Sequence, residues 1–219
     1  QWSSPAVDEM ECEEINMTST NAFVYSVWNS CFMTISRCNN ILSRIETANI
    51  DEAKKSQFKG ESLFLRAYCY FYLVRLFGDL PLIDVAFRSP NEIASFDMSR
   101  KPVSEIYNLI ISDLKESATL LSALSGTDKS RASTGAAKAL LGKVYLTQKD
   151  YTSAGTLLKD VIDLNKYSLM PNYKTLFTNG NTDLAESIFE IKFLGGNVGE
   201  GNNFSAIFTP PRFDMAIFP

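Results

Sequence analysis

The first side chains that could do chemistry lie at the start of the chain. Trp2 is followed by a polar, non-helical stretch, Ser3 to Pro5, and then by Asp8 and Glu9. An indole ring stacks on the apolar face of a sugar, and carboxylates accept hydrogen bonds from sugar hydroxyls. The pattern predicts a carbohydrate platform, with Trp2 as the ligand-binding residue and Asp8 and Glu9 as its polar partners. The alternative is a Trp2 side chain that packs on its own domain.

The composition restricts the catalytic chemistry. The 219 residues are 45% hydrophobic and 21% charged, which is typical of a globular protein, and none of them is histidine. This excludes Ser-His-Asp and Cys-His nucleophile systems and His-based zinc sites. With 21 basic and 25 acidic side chains the net charge is -4, opposite to what a phosphate backbone attracts, so no nucleic-acid partner is expected.

Two further stretches resemble ligand sites only in composition. The acidic run from Asp8 to Glu14 lacks the D-x-D-x-D-G pattern of a calcium loop, and a solvated entry to the first helix explains it better. The glycines from Gly195 to Gly201 do not have the G-x-G-x-x-G spacing, and no Lys-Ser/Thr pair follows them. We therefore predict no metal and no cofactor.

Paired carboxylates could hydrolyse a glycoside without histidine. No pair stands out as buried among apolar residues, because the helical periodicity assigns Asp113 with Glu116, and Asp160 with Asp163, to water-facing sides. The sequence predicts no catalytic residue, and a carboxylate-based hydrolase is the least favoured function.

The four cysteines, Cys12, Cys31, Cys38 and Cys69, show no C-x-x-C spacing. On one helix Cys31 and Cys38 would lie about 10 Å apart along the axis, which is beyond disulfide reach. Buried free thiols are the expectation.

No segment predicts a membrane span or a leader. The apolar run from Leu63 to Phe77 is too short to cross a bilayer and contains Arg66 and Arg75. The first ten residues have neither a basic start nor an apolar stretch, so no signal peptide is expected there.

Apolar residues at steps of three and four predict five helices. Gly78 and Pro81 mark the end of the second helix, and Pro102 begins the third. Asn39 and Asn40 lie in the second half of the first helix, where such a pair is unusual and requires a packing or hydrogen-bonding reason. The predicted helices are Val24 to Ile50, Lys55 to Phe77, Pro102 to Leu121, Ser133 to Gln148 and Tyr151 to Leu164, with a loop from Phe87 to Lys101.

The last two helices carry a repeat signature. Gly142, Tyr145, Tyr151 and Ala154 have the offsets of the small and aromatic packing residues in a tetratricopeptide helix pair. The second and third helices could be a degenerate pair with a lengthened connection. The predicted fold class is mainly α, built from tetratricopeptide-like helix pairs.

The chain changes character after Asn165. Ile188, Phe189, Ile191 and Phe193 predict one strand from Glu186 to Phe193, and the residues beyond it predict loops. The expected organisation is an entry loop at 1–23, a helical scaffold at 24–164 and a strand with a loop-rich segment at 165–219.

Two adjoining blocks resemble a known family. Gly60-Glu61-Ser62-Leu63-Phe64-Leu65-Arg66-Ala67, followed by Tyr70-Phe71-Tyr72-Leu73-Val74-Arg75-Leu76-Phe77-Gly78-Asp79-Leu80-Pro81-Leu82, is similar to the hallmark of the SusD/RagB outer-membrane nutrient-binding lipoproteins. Further blocks agree in the same order, and the likeness extends from about Trp2 to Phe193. These blocks are Trp28 with Ile35 to Leu42, Tyr107 to Leu114, Ala136 to Leu146, and Glu186 to Ile191.

The resemblance implies a non-enzymatic protein that binds glycans or other nutrients. In this family the protein is lipid-anchored on the outer face of the outer membrane and passes its ligand to a TonB-dependent, SusC-like transporter. Family members are about twice this length, which implies that the chain is partial and that the N-terminal lipid anchor is absent from it. In the hallmark, Arg66 and Arg75 are expected to pair with Glu61 or Asp79. The competing function is a helical-repeat interaction scaffold without a small-molecule ligand.

Overall fold

A computed structural model describes residues 21–122, 128–177 and 183–193, and it confirms the mainly α fold class. The chain divides into two compact units, Val24–Glu190 and a second unit made of Gln1–Phe23 with Ile191–Pro219. Apart from the first two residues of the first helix, all helices belong to the first unit, as do the buried side-chain network and the groove described below.

The first two long helices are α1, Ala22–Leu42, and α2, Glu52–Phe77, joined through a 3-10 turn at Ile45–Thr47. The Asp51 side chain caps α2 by accepting a hydrogen bond of 2.9 Å from the Lys54 amide. Gly78 ends α2 at a positive φ of 68°, the role that its sequence position predicts. Within the part of the chain that the structure describes, no helix is long and apolar enough to cross a membrane.

A small hairpin-like feature follows α2. Strand β1, Leu80–Pro81, pairs antiparallel with β2, Arg100–Lys101, and the short helix α3, Pro90–Ser95, lies between them in sequence. Ser89 caps α3 by accepting from the Glu92 amide at 3.3 Å. The prediction of a loop throughout this segment was therefore wrong, because a serine cap with proline in the first turn is enough to begin a short helix.

Three further helices follow β2. They are α4, Val103–Leu120, α5, Thr134–Thr147, and α6, Tyr151–Asp163. Helix α4 packs along α2, α5 packs on α4, and α6 packs on α5. Successive neighbours in the chain are thus neighbours in space, as in stacked helix pairs. The core lies between α1, α2, α4 and α5, with Ile35, Tyr70, Phe71, Leu73, Ile110, Leu114 and Val144 among its most buried side chains.

Close helix contacts depend on two glycines. A Cβ at Gly60 of α2 would lie 2.8 Å from the Leu121 side chain, and Ser117 of α4 donates a 2.7 Å hydrogen bond to the Gly60 carbonyl. A Cβ at Gly142 of α5 would lie 2.9 Å from the Leu158 side chain of α6. The small-residue part of the repeat signature is therefore confirmed.

The aromatic part of that signature is only half right. Tyr145 packs against the core, but Tyr151 stands at the first position of α6 and is 65% exposed. The expectation that both tyrosines fill the groove was wrong for Tyr151, because the first residue of a helix projects beyond the region where the two helices touch.

The predicted strand at Glu186 to Phe193 is also wrong. Its backbone forms turns and irregular structure, with hydrogen bonds from Ser187 N to Leu184 O and from Glu190 N to Lys129 O. Phe189 packs between Phe64 and Tyr68 of α2, with ring centroids 5.0 and 6.4 Å away. Phe189 anchors this segment to a helix, whereas Ile191 and Phe193 are more than half exposed, and such an anchor does not require the period of two that a sheet imposes.

Candidate functional site

A buried ion pair joins α2 to α4. Arg66 donates from Nε to Asp113 Oδ2 at 2.7 Å and from Nη2 to Asp113 Oδ1 at 2.8 Å, which is a bidentate geometry. Both side chains are less than one-tenth exposed. Burial raises the pKa of the Asp113 carboxyl, although the hydrogen bonds and charge of Arg66 act in the opposite direction. Each charge therefore depends on the other to remain in the interior.

Asn39 extends this pair to α1. Its Oδ1 accepts from Arg66 Nη1 at 2.8 Å, and its Nδ2 donates to the carbonyls of Ile83 and Val85 at 2.8 and 3.0 Å. Arg66 also donates to the Asp84 carbonyl at 3.2 Å. The buried Asn39 amide thus holds the extended chain after β1 against α1, which supplies the hydrogen-bonding reason that its position in an apolar stripe requires.

Tyr70 of α2 also holds the chain that follows β1, through hydrogen bonds to Ile83. Its hydroxyl accepts from the Ile83 amide at 2.7 Å and lies 3.1 Å from the Ile83 carbonyl, to which it donates. Burial raises the pKa of the Tyr70 hydroxyl, so it stays protonated and can act in both directions. We call Arg66, Asp113, Asn39 and Tyr70 the Arg66 network.

An open groove of about 630 Å³ adjoins the Arg66 network, since Asn39 and Arg66 are among its lining residues. Lys59 crosses it, donating to Glu46 at 3.1 Å and lying 3.0 Å from Glu116. Its hydrogen bonds, first to Glu116 and then to Glu46, raise the pKa of Lys59. The groove is lined by Asn39, Leu42, Ser43, Glu46, Lys59, Leu63, Arg66, Asp84, Val85, Ala86, Arg88, Glu92 and Glu116.

The groove suits polar ligands but not stacking on sugar rings. No aromatic side chain is among the lining residues, and Lys59 already pairs with both Glu46 and Glu116. The Glu92 carboxylate, for instance, accepts from the Arg88 amide at 2.7 Å. The groove therefore offers hydrogen bonds without a ring platform.

Trp28 serves the core, as its position on the first helix predicts. Its ring lies 4.8 Å from Phe32 and 5.1 Å from Phe77, and the Arg100 guanidinium lies 5.5 Å above it. Trp28 and Phe32 of α1 thus pack against the rings of Phe77 and Tyr70 of α2. Trp28 is therefore not available as an exposed platform.

The predicted ligand-binding residues Trp2, Asp8 and Glu9 lie outside the described residues, as do the rest of the acidic run and the glycine-rich stretch from Gly195 to Gly201. Their role stays a prediction. Within residues 21–122, 128–177 and 183–193, no group of three or more Cys, Asp or Glu side chains is arranged to hold a metal ion.

The predicted hallmark ion pairs were wrong. Arg66 pairs with Asp113, whereas Glu61 binds Arg131 at 2.6 Å and the Asp79 carboxylate accepts from the Val103 amide at 3.0 Å. Arg75 donates to the Phe71 carbonyl and lies 4.3 Å above the Phe71 ring. Local spacing favoured near neighbours, but the bidentate partner of Arg66 is 47 positions away.

The assignment of Asp113 to a water-facing side was wrong for the same reason. Asp113 lies on the buried side of α4 beside Ile110 and Leu114, and only its long-range contact with Arg66 makes this tolerable. Sequence reasoning missed Asp113 as a central residue. The available signal was an arginine inside the apolar run of α2, which needs a buried acidic partner.

Asp160 and Asp163, the other pair of carboxylates considered for hydrolysis, each pair with a lysine. Asp160 accepts from Lys138 at 2.7 Å, and Asp163 pairs with Lys159 one turn earlier on α6. Neither geometry presents two free carboxyl groups across a cleft, which glycoside hydrolysis requires.

Comparison with known proteins gives the class of this helical protein. Residues 2–146 match the SusD-like family described as "Starch-binding associating with outer membrane". The chain belongs to the SusD-like family.

Individual proteins similar to this chain are also SusD-like or were determined with an oligosaccharide. SusD-like protein P2 of Formosa agariphila is 33% identical over 93% of this chain and 41% of its own length. A laminarin-binding SusD-like protein of known structure is 34% identical, with a TM-score of 0.69 over 75% of this chain and 36% of its own. A crystal structure determined with xylogluco-oligosaccharide is 26% identical, with a TM-score of 0.72 over 82% of this chain and 37% of its own.

The chain spans about two-fifths of the length of SusD-like protein P2. The match includes α1, α2 and α4 and most of α5, and hence the whole Arg66 network.

Proposed function

We propose that this chain is part of a non-enzymatic SusD-like protein that captures glycans at the cell surface and delivers them to a TonB-dependent, SusC-like transporter. The observation that carries the proposal is the family match over residues 2–146. It is supported by one similar protein that binds laminarin and another whose structure was determined with xylogluco-oligosaccharide. Oligosaccharides are therefore the proposed ligand class.

Trp2 is the proposed stacking residue, with Asp8 and Glu9 as hydrogen-bonding partners. Trp2 is also the first residue of the family match, and its neighbours are polar. An indole ring next to carboxylates provides the two contacts that a sugar needs, one for its apolar face and one for its hydroxyls.

The carboxylates of the described residues are consistent with a protein that captures a ligand without catalysing a reaction. The buried carboxylate, Asp113, is held by two hydrogen bonds from Arg66 and serves packing. A general acid would need a carboxyl group that can reach a substrate and exchange its proton there. Three carboxylates of the groove, those of Glu46, Glu116 and Glu92, are instead tied to Lys59 or to a backbone amide.

The proposed location is the extracellular face of the outer membrane, reached through an N-terminal lipid anchor. The family description supports association with that membrane. A surface position would put the ligand site where polysaccharide fragments first arrive.

Titration of a glycan panel tests the capture function. Laminarin, xyloglucan and starch oligosaccharides are titrated into the protein, with Trp2→Ala as the site variant and Tyr25→Ala as the control. Tyr25 is an aromatic residue of α1 that is 67% exposed. We expect at least one glycan to bind, Trp2→Ala to weaken it at least tenfold, which corresponds to about 1.4 kcal/mol, and Tyr25→Ala to leave it unchanged.

The outcomes separate the parts of the proposal. No binding by any glycan contradicts the ligand class, and normal binding by Trp2→Ala contradicts the site while leaving the ligand class intact. Release of shorter sugars on long incubation contradicts the non-enzymatic function. In the Trp28→Phe background Trp2 is the only tryptophan, so its fluorescence reports directly on stacking.

One observation favours an interaction scaffold as the second candidate. A stripe of apolar side chains along α2 is 38–57% exposed, formed by Leu65, Tyr68, Tyr72 and Leu76. Exposed apolar stripes at helical spacing are typical of protein contacts. A Tyr72→Glu, Leu76→Glu variant that loses co-purification with the transporter, in a protein that binds no glycan, would favour the scaffold.

A further inference from the structure

Acidic side chains tie the segment from Asp183 to Glu190 to its neighbours. The Asp183 carboxylate accepts from the Lys129 amide, in the loop before α5, at 2.7 Å. The Glu186 carboxylate accepts from the Met170 amide, on the chain that follows α6, at 3.0 Å. The Glu190 carboxylate accepts from the Asp183 amide at 2.8 Å and so joins the two ends of the segment. We call residues 183–190 the strap.

Lys129 holds both ends of the strap. Its amide donates to the Asp183 carboxylate, and its carbonyl accepts from the Glu190 amide at 3.0 Å. In the middle of the strap, the Ala185 carbonyl accepts from the Ser168 amide at 3.0 Å. Because both ends are bound at one residue, release of one end removes support from the other. The strap is therefore built to open as one piece.

Phe189 is the aromatic anchor of the strap. Its ring centroid lies 5.0 Å from that of Phe64 and 6.4 Å from that of Tyr68. Phe64 is only 2% exposed, whereas Leu65 and Tyr68 belong to the exposed apolar stripe of α2. Phe189 thus covers a ring that adjoins this stripe, and its departure would expose Phe64 next to Leu65 and Tyr68.

The strap is held less firmly than the helices beneath it. It has neither helix nor strand, and Ile188 and Phe189 are its apolar residues that pack, partly buried, against the core. The bonds from Lys129 to Asp183 and from Asp183 to Glu190 are exposed to solvent. Segments with few buried apolar contacts and exposed hydrogen bonds open at a lower free energy than the core.

We infer that the strap is a conformational device that opens as a unit while the helices stay folded and thereby uncovers Phe64 of α2. In the closed form the strap limits the apolar surface that α2 exposes to water. In the open form Phe64, Leu65 and Tyr68 form one continuous apolar patch. The device lies within the unit Val24–Glu190 and is independent of glycan capture.

Native-state amide exchange of the 219-residue chain, resolved for each residue by NMR, tests the inference. We expect the amides of Lys129, Met170 and Glu190 to be protected and to share one opening free energy. They should exchange at least about tenfold faster than the amides in the middle of α2.

Asp183→Ala tests whether the strap opens as one piece. This variant should accelerate exchange at Lys129, Met170 and Glu190 together by about tenfold, although the Met170 amide is bonded to Glu186, and it should leave α2 unchanged. Asp97→Ala is the matched control, because the Asp97 carboxylate accepts from the Ser99 amide at 2.9 Å in the turn before β2. The control should leave the exchange of the strap at the parent rate.

Phe189→Ala tests what the strap covers. It keeps every hydrogen bond of the strap and removes the ring on Phe64, so the binding of an apolar fluorescent dye should increase several-fold. Phe193→Ala is the control, because Phe193 is already 53% exposed, and it should bind the dye like the parent chain.

Three results would overturn the inference, and the first two need no substitution. Strap amides that exchange as slowly as those of α2 would show that the strap opens only when the whole unit unfolds. Strap amides without protection would show that no closed form exists. An Asp183→Ala effect at Lys129 alone would show that the strap does not open as a unit.

Discussion

The Arg66 network and the α5–α6 pair hold helices together in opposite ways. The Arg66 network joins α1, α2 and α4 through buried charges and amides, with hydrogen bonds as short as 2.7 Å. The α5–α6 pair depends on the absence of a side chain at Gly142, on the buried Ala154 and on a partly exposed Lys138–Asp160 pair.

The difference is one of specificity. A small-residue contact tolerates any neighbour of about the right shape, whereas a bidentate ion pair with an amide requires particular atoms at particular places. The Arg66 network therefore determines where the extended chain after β1 lies. The α5–α6 pair is joined mainly through packing at small residues.

The largest expected effect comes from breaking the ion pair. Arg66→Met leaves the Asp113 carboxylate buried without its partner, and we expect a loss of about 3–5 kcal/mol in the free energy of unfolding. Urea denaturation followed by circular dichroism measures it. The Arg66→Met, Asp113→Leu double variant should recover most of the loss, and a double variant as unstable as Arg66→Met would show that the charge itself is not the cause.

A substitution at Gly142 tests the other region. Gly142→Val places a Cβ 2.9 Å from the Leu158 side chain and should cost about 1–3 kcal/mol. Gly155 of α6 is the matched control, because a Cβ there meets nothing within 4 Å. Gly155→Val, the same substitution, should therefore change the stability much less than Gly142→Val. Equal effects at the two glycines would contradict the close approach of α5 and α6.

Removal of the Tyr70 hydroxyl tests one hydrogen bond of the Arg66 network. Tyr70→Phe removes the acceptor of the Ile83 amide while keeping the ring in place. A buried, unsatisfied amide costs about 1–3 kcal/mol, and we place this variant near the lower end because the extended chain can shift toward water. Faster amide exchange at Ile83 with little change elsewhere is the expected signature, and uniform change across α2 would count against a local role.

The smallest effect belongs to the helix cap of α6. Asp150 accepts from the Ser153 hydroxyl at 2.7 Å and from the Ser153 amide at 3.0 Å, and these bonds lower the pKa of Asp150. A lowered pKa means that the stabilisation is present above about pH 4 and is lost as the pH falls further.

Thermal melts therefore check the cap across pH. Asp150→Ala should melt slightly below the parent at pH 7, and the gap should close toward pH 2. Asp150→Asn keeps a capping oxygen and cannot ionise, so its pH dependence should be flatter than that of the parent. A gap that persists unchanged at pH 2 would contradict the titration.

Much of the fold was predictable because its signals are local. Gly78 ends α2 through a backbone conformation, and the spacing of Gly142 and Ala154 marks a close contact between consecutive helices. The cap of α3 at Ser89 was equally local and was overlooked. Boundaries of this kind depend on residues a few positions apart.

The network was not predictable because its partners are distant in sequence. Asp113 was assigned to the water-facing side of α4, and only its contact with Arg66, which is distant in sequence, explains why it is buried. Phe189 likewise belongs to a stretch with strand-like composition, yet it is held by Phe64 and Tyr68 of a helix. The predicted site at Trp2, Asp8 and Glu9 stays a prediction.

The Arg66 network also has a consequence for how the protein opens. Because one guanidinium contacts α1, α4 and the Asp84 carbonyl at once, none of these elements can detach without exposing the others' polar groups. They should behave as one cooperative unit in native-state hydrogen exchange, while α5 and α6 open at a lower free energy. Such a unit would confine motion to its edges.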